Sequence, residues 1–67
     1  MWNQNNLLWI DLSYNHLEWI EEEIVQNFSQ LRTLYLHGNY ILNLEEVKKL
    51  NQMPDLHTLT LYANPIE

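Results

Sequence analysis

The sequence predicts an α/β solenoid, with short parallel strands on a concave side and helical connectors on a convex side. Two observations carry that prediction: one short pattern occurs three times, and the stretches between its copies are amphipathic at helical spacing. Leu7-Leu8-Trp9-Ile10-Asp11-Leu12-Ser13-Tyr14-Asn15-His16-Leu17 aligns with Leu31-Arg32-Thr33-Leu34-Tyr35-Leu36-His37-Gly38-Asn39-Tyr40-Ile41 and with Leu56-His57-Thr58-Leu59-Thr60-Leu61-Tyr62-Ala63-Asn64-Pro65-Ile66. Each copy reads L-x-x-[LI]-x-L-x-x-N-x-[LI], and the copies start at residues 7, 31 and 56, offsets of 24 and 25.

A period of that length falls within the roughly 20–29 residues of leucine-rich repeats. In each copy the alternation around Ile10/Leu12, Leu34/Leu36 and Leu59/Leu61 makes a short strand with its apolar side inward. Stacking the copies aligns the three strands in parallel. Asn15, Asn39 and Asn64 then stand where the backbone leaves the sheet. An asparagine there can bond the backbone of its own and the adjacent repeat, so the sequence predicts an asparagine ladder.

The connectors must carry the chain back across the convex side. In the first, Ile20, Ile24, Val25 and Phe28 fall on one helical face, and Glu21, Glu22 and Glu23 crowd the opening turn. In the second, Leu44, Val47, Leu50 and Met53 form the inner stripe, Glu45 can pair with Lys48 or Lys49, and Pro54 marks the exit. Trp19, beside Ile20, is expected to cover core.

A chain of 67 residues forms one small module, residues 1–67, with no linker inside it. It has no cysteine, which removes disulfides and thiolate zinc sites as staples. Nine acidic residues against three basic ones give a net charge of −6, the wrong sign for a phosphate backbone or an anionic lipid surface. The longest apolar runs, such as Leu7 to Ile10, are far short of a membrane span. Met1-Trp2-Asn3-Gln4-Asn5-Asn6 lacks the basic and apolar regions of a signal peptide, so a cytoplasmic location is expected. The partners expected are proteins, with no nucleic acid, membrane, small-molecule substrate or cofactor.

The repeats, together with the Asn64-Pro65-Ile66-Glu67 ending, resemble the SDS22-like leucine-rich-repeat proteins, and the likeness covers Leu7 to Glu67. The resemblance implies helical convex connectors and an intracellular, non-enzymatic protein of ciliated organisms. It also implies a capping segment after the Asn-Pro-Ile-Glu turn. The chain is therefore expected to be a fragment of a longer capped solenoid, or to have its last repeat covered by a partner.

The concave face is the best candidate surface, because alternate strand residues point away from the core and line up between strands. Three rows follow: Trp9/Thr33/Thr58, Asp11/Tyr35/Thr60 and Ser13/His37/Tyr62, with Tyr14 and Tyr40 near the turns. Exposed tryptophan and tyrosine often anchor protein interfaces, since they bury large area at low entropic cost. Ser13, His37 and Asp11 could suggest a catalytic triad. However, Asp11 lies two residues from Ser13 rather than behind the histidine, and no Gly-rich turn offers an oxyanion hole. His16, His37 and His57 occupy different repeat positions and would not converge on one metal. The Glu18/Glu21/Glu22/Glu23 cluster reads as a solvated face complementing a helix start. The function expected is a protein-binding adaptor within a cytoskeletal or ciliary assembly; alternatives are the repeat domain of a larger enzyme or regulatory subunit, and a structural filler between subunits.

Overall fold

A computed structural model describes residues 7–66; the Asn/Gln-rich start and Glu67, the last residue of the Asn-Pro-Ile-Glu turn, lie outside the described residues. Three short strands, β1 (Trp9–Asp11), β2 (Thr33–Tyr35) and β3 (Thr58–Thr60), form one parallel sheet in the order β1-β2-β3. Between them run helix α1 (Glu22–Asn27) and helix α2 (Leu44–Lys48), the latter continued by a 3-10 turn over Lys49–Gln52. The register is Trp9↔Thr33↔Thr58, Ile10↔Leu34↔Leu59 and Asp11↔Tyr35↔Thr60, so each pattern position meets its own counterpart one strand away. Backbone bonds carry the ladder past the strands. Leu12 N–H donates to the Tyr35 carbonyl (2.9 Å) and Leu36 N–H to that of Thr60 (3.1 Å), and Tyr14 and Gly38 N–H reach His37 (3.0 Å) and Tyr62 (3.1 Å).

The middle repeat is the driest. Leu31, Leu34, Leu36 and Ile41 are fully buried, because a repeat covers them on each side. Their counterparts Ile10, Leu12, Leu17, Leu56, Leu59, Leu61 and Ile66 are partly buried against the same cluster. From the connectors, Ile20, Val25, Leu50 and Met53 are buried, with Phe28 and Val47 packed against them.

Two connector expectations fail. Leu44 is 49% exposed rather than part of the inner stripe. It opens α2, and a step of three residues in an α-helix turns it about 60° off the face of Val47. Leu50 is carried inward within the 3-10 turn, and Met53, just past its end, donates its N–H back to the Leu50 carbonyl (3.0 Å) and is buried beside it. Trp19 does not cover core either: it is 54% exposed, because Ile20 takes the inward position beside it at 1% exposure.

Polar groups fix the connectors to each other. Asn43 caps α2 by accepting from Glu45 N–H at 2.9 Å. Glu46 Oε1 accepts from Ile20 N–H (2.9 Å) and from Lys49 Nζ (2.7 Å), while Lys49 Nζ also donates to the Ile20 carbonyl (3.0 Å). The Lys49 bond, and then the Ile20 amide, hold the Glu46 carboxyl below its ordinary pKa. Glu45 pairs with Lys48 at 3.1 Å on the exposed side.

The asparagines bridge repeats. Asn39, 3% exposed, accepts on Oδ1 from Asn15 N–H (2.8 Å) and Leu17 N–H (3.0 Å) of the preceding repeat. Its Nδ2 donates to the Leu12 carbonyl (3.0 Å) and to Leu36 of its own repeat (2.8 Å). Asn64 repeats the arrangement one step on, accepting from Ile41 N–H (3.0 Å) and donating to the Leu36 (2.9 Å) and Leu61 (3.0 Å) carbonyls. The residue before each asparagine is left-handed: Tyr14 (φ 57°), Gly38 (φ 74°) and Ala63 (φ 60°). Only at Gly38 does the residue type announce that conformation.

Candidate protein-binding face

Strand alternation sends Trp9, Asp11, Thr33, Tyr35, Thr58 and Thr60 to the sheet face opposite Ile10, Leu34 and Leu59. Trp9 is 53% exposed and Tyr62 is 62% exposed, whereas Thr33, Tyr35, Thr58 and Thr60 are half-buried between neighbours. The aromatic rings touch one another across the rows. Trp9 meets Tyr35 edge-on with centroids 5.8 Å apart, and Tyr35 lies 6.0 Å from His37. His37 stacks on Tyr62 at 4.5 Å, nearly parallel, and takes the edge of Tyr14 at 5.2 Å. A second, smaller contact joins His16 to Tyr40 at 5.4 Å.

Backbone geometry seats Tyr14. A Cβ added at Gly38 would fall 2.3 Å from Tyr14 Cδ1, so the ring occupies the space a side chain would need. Strand alternation could not reveal this contact, because it depends on the left-handed turns at both residues. The glycine was the one signal for it.

Polar groups on the face have defined partners. Asp11 Oδ1 accepts from Ser13 Oγ (2.6 Å) and from Ser13 N–H (2.9 Å), and these bonds hold the Asp11 carboxyl below its usual range. His37 Nδ1 lies 2.7 Å from Thr60 Oγ1. Ser13 therefore directs its hydroxyl at Asp11 and His37 engages Thr60, which is not the relay of a nucleophilic triad. His57 Nδ1 sits 3.1 Å from Thr58 Oγ1, away from His16 and His37. On the flank of the repeats, His16, Leu17, Glu18, Trp19 and Glu21 line a shallow notch.

With Asn39 and Asn64 each bridging back to the preceding repeat, the sequence is matched by the family model described as Leucine rich repeat over residues 3–41, more than half the chain. The chain belongs to the leucine-rich-repeat family. It is 53% identical over 62 residues to leucine-rich repeat-containing protein 51 of Bos taurus, covering 92% of this chain and 32% of that protein. The Homo sapiens protein of that name is 52% identical over the same length and the same shares. Toll-like receptor 7 of Drosophila melanogaster is 39% identical over 61 residues, 91% of this chain and 4% of the receptor. The chain thus spans about a third of the length of the two leucine-rich repeat-containing proteins. No solved structure matches it significantly. Among the described residues, no helix is long and apolar enough to cross a membrane.

Proposed function

We propose that the chain is a protein-binding module, three turns of a solenoid of the SDS22-like type. Its concave face, Trp9, Asp11, Ser13, Tyr14, Thr33, Tyr35, His37, Thr58, Thr60 and Tyr62, takes a protein partner. One observation carries this reading: five rings, Trp9, Tyr35, His37, Tyr14 and Tyr62, linked in a chain of neighbouring pairs, stand on the face that the core does not use. Packed rings lose little side-chain freedom on binding, which is what an anchoring cluster requires. In this reading the module, residues 1–67, belongs to a longer capped solenoid in the cytoplasm, an adaptor in a cytoskeletal or ciliary assembly that contributes no catalytic step. The likeness to leucine-rich repeat-containing protein 51 supports a repeat protein.

Site-specific photocrosslinking tests the face. A small diazirine crosslinker, close in size to the side chain it replaces, at Thr33 or Thr58 should capture the partner, and one at Glu22 on α1 should not. Capture confined to Glu22 would place the partner on the convex side and remove this reading.

A further inference from the structure

We infer that the partner presents an arginine to this face, its guanidinium set against the Asp11 carboxylate and the Trp9 and Tyr35 rings; the inference rests on the concave face being the binding surface. Asp11 is oriented for such a contact. Both Ser13 bonds fall on Oδ1, at 2.6 and 2.9 Å, and among the described residues Oδ2 accepts no hydrogen bond. The carboxylate is thus fixed in direction with one oxygen left open on an exposed residue. Tyr35 pairs with Asp11 across the sheet, and Trp9 lies two residues along the same strand, so both side chains leave the same sheet face as the carboxylate. Trp9 is 53% exposed and meets Tyr35 at 89°, which leaves indole surface open beside the anion.

Charge decides the sign of the occupant. The ten residues of the face include one carboxylate and no lysine or arginine, in a chain of net charge −6. Of the three basic residues, Lys48 and Lys49 are paired with Glu45 and Glu46 on the second connector, and Arg32 precedes β2 outside the rows. The cation therefore comes from the partner. Aromatic surface beside a carboxylate favours guanidinium over ammonium, because the guanidinium is planar, weakly hydrated, and can stack while it donates to an oxygen. An aspartate is ionised throughout the physiological range, so the anion is present without any shift in its pKa.

Nuclear magnetic resonance titration of the isotopically labelled chain tests this with two blocked tripeptides, Gly-Arg-Gly and its neutral isostere Gly-citrulline-Gly. The arginine peptide should shift the Ser13 amide and the Trp9 indole N–H saturably. Replacing arginine by citrulline, or Asp11→Asn in the protein, should each weaken Kd about threefold or more, as for an exposed charge pair reinforced by a ring contact. The citrulline comparison uses the unaltered protein, so it holds even if the variant folds poorly. No saturable shift at Ser13 and Trp9, a loss below threefold in either comparison, or shifts centred on Trp19 and Glu21 in the flank notch would overturn the inference. Its failure is separable from failure of the face itself: crosslinks at Thr33 and Thr58 would persist if only the chemistry were wrong.

Discussion

Replacing Asn39 by alanine removes the amide that joins the first repeat to the second, and the distances set the cost. Four bonds of 3.0 Å or less disappear: two accepted from Asn15 and Leu17 N–H, and two donated to the Leu12 and Leu36 carbonyls. A further approach to the His37 carbonyl, at 3.5 Å, is too long to count. Leu36 keeps a partner in Asn64 Nδ2 at 2.9 Å, and Asn15 is exposed and rehydrates. Leu17 N–H and the Leu12 carbonyl are left half-buried without partners. At roughly 1–3 kcal/mol for an orphaned buried group, reduced by partial hydration, the total is about 2–3 kcal/mol.

Asn15→Ala is the matched control. Asn15 is exposed, and among the described residues its side chain makes no hydrogen bond, so its loss should stay within about 0.5 kcal/mol. Urea titration followed by circular dichroism measures both, with the midpoint moving and the slope unchanged. For a domain of this size the Asn39 change should also lower Tm by about 10–20 °C. Asn64→Ala, which orphans Ile41 N–H and the Leu61 carbonyl, should fall on the Asn39 side of that divide. Equal losses at Asn39 and Asn15 would refute the ladder as a continuous device.

Three further outcomes follow from single contacts. Gly38→Ala should cost about 1–2 kcal/mol from its left-handed backbone and should expel the Tyr14 ring, read as loss of the nuclear Overhauser contact between Tyr14 and His37. Because the Glu46 pKa is lowered on folding, its contribution is whole above the ordinary value of 4.5 and drains as pH falls through the folded value. Glu46→Gln should therefore flatten the acid limb of stability against pH measured by thermal melts. Trp9→Ala and Tyr35→Ala should each weaken partner capture by at least about 1–2 kcal/mol while the fold persists, whereas Glu22→Ala should change it little, as measured by quantitative pulldown.

The strands and the rows were readable in the sequence because the repeat fixes them three times over: an error at one copy is corrected by the other two. Ile10, Leu34 and Leu59 share one register position in the sheet, as the alternation requires. The bridging roles of Asn39 and Asn64 follow from the same repetition, since an amide at a fixed offset from the strand always meets the same backbone groups. Connector residues have no such redundancy. The two connectors differ in sequence, so the outward position of Leu44 depended on where α2 starts, since a shift of one residue turns a helical side chain by about 100°, and that of Trp19 on the irregular stretch before α1, which has no periodicity to read. The ring contacts were hidden for another reason. Alternation predicts which face a side chain takes, but the Tyr14–His37 edge contact arises from left-handed φ at Tyr14, a residue type that carries no warning of it.

The same geometry makes the face asymmetric, and the asymmetry bears on how a partner would sit. Bulk gathers over β1, β2 and the turns, where Trp9, Tyr35, Tyr14 and His37 are in contact, while β3 presents Thr58 and Thr60. Along the first row the side chains fall from tryptophan to two threonines, so the surface steps down from β1 toward β3. Tyr62, stacked on His37, closes the far end of that step near the turn. A partner side chain entering over the threonines would meet ring surface on the Trp9 and Tyr35 side and hydroxyl groups beneath it. Asp11 lies on the high side of the step, beside the rings, where an approaching guanidinium can stack before it reaches the open carboxylate oxygen. Enlarging the low side with Thr58→Trp should therefore block capture while leaving Asp11, Trp9 and Tyr35 intact, and unchanged capture by that variant would mean the partner does not cross β3.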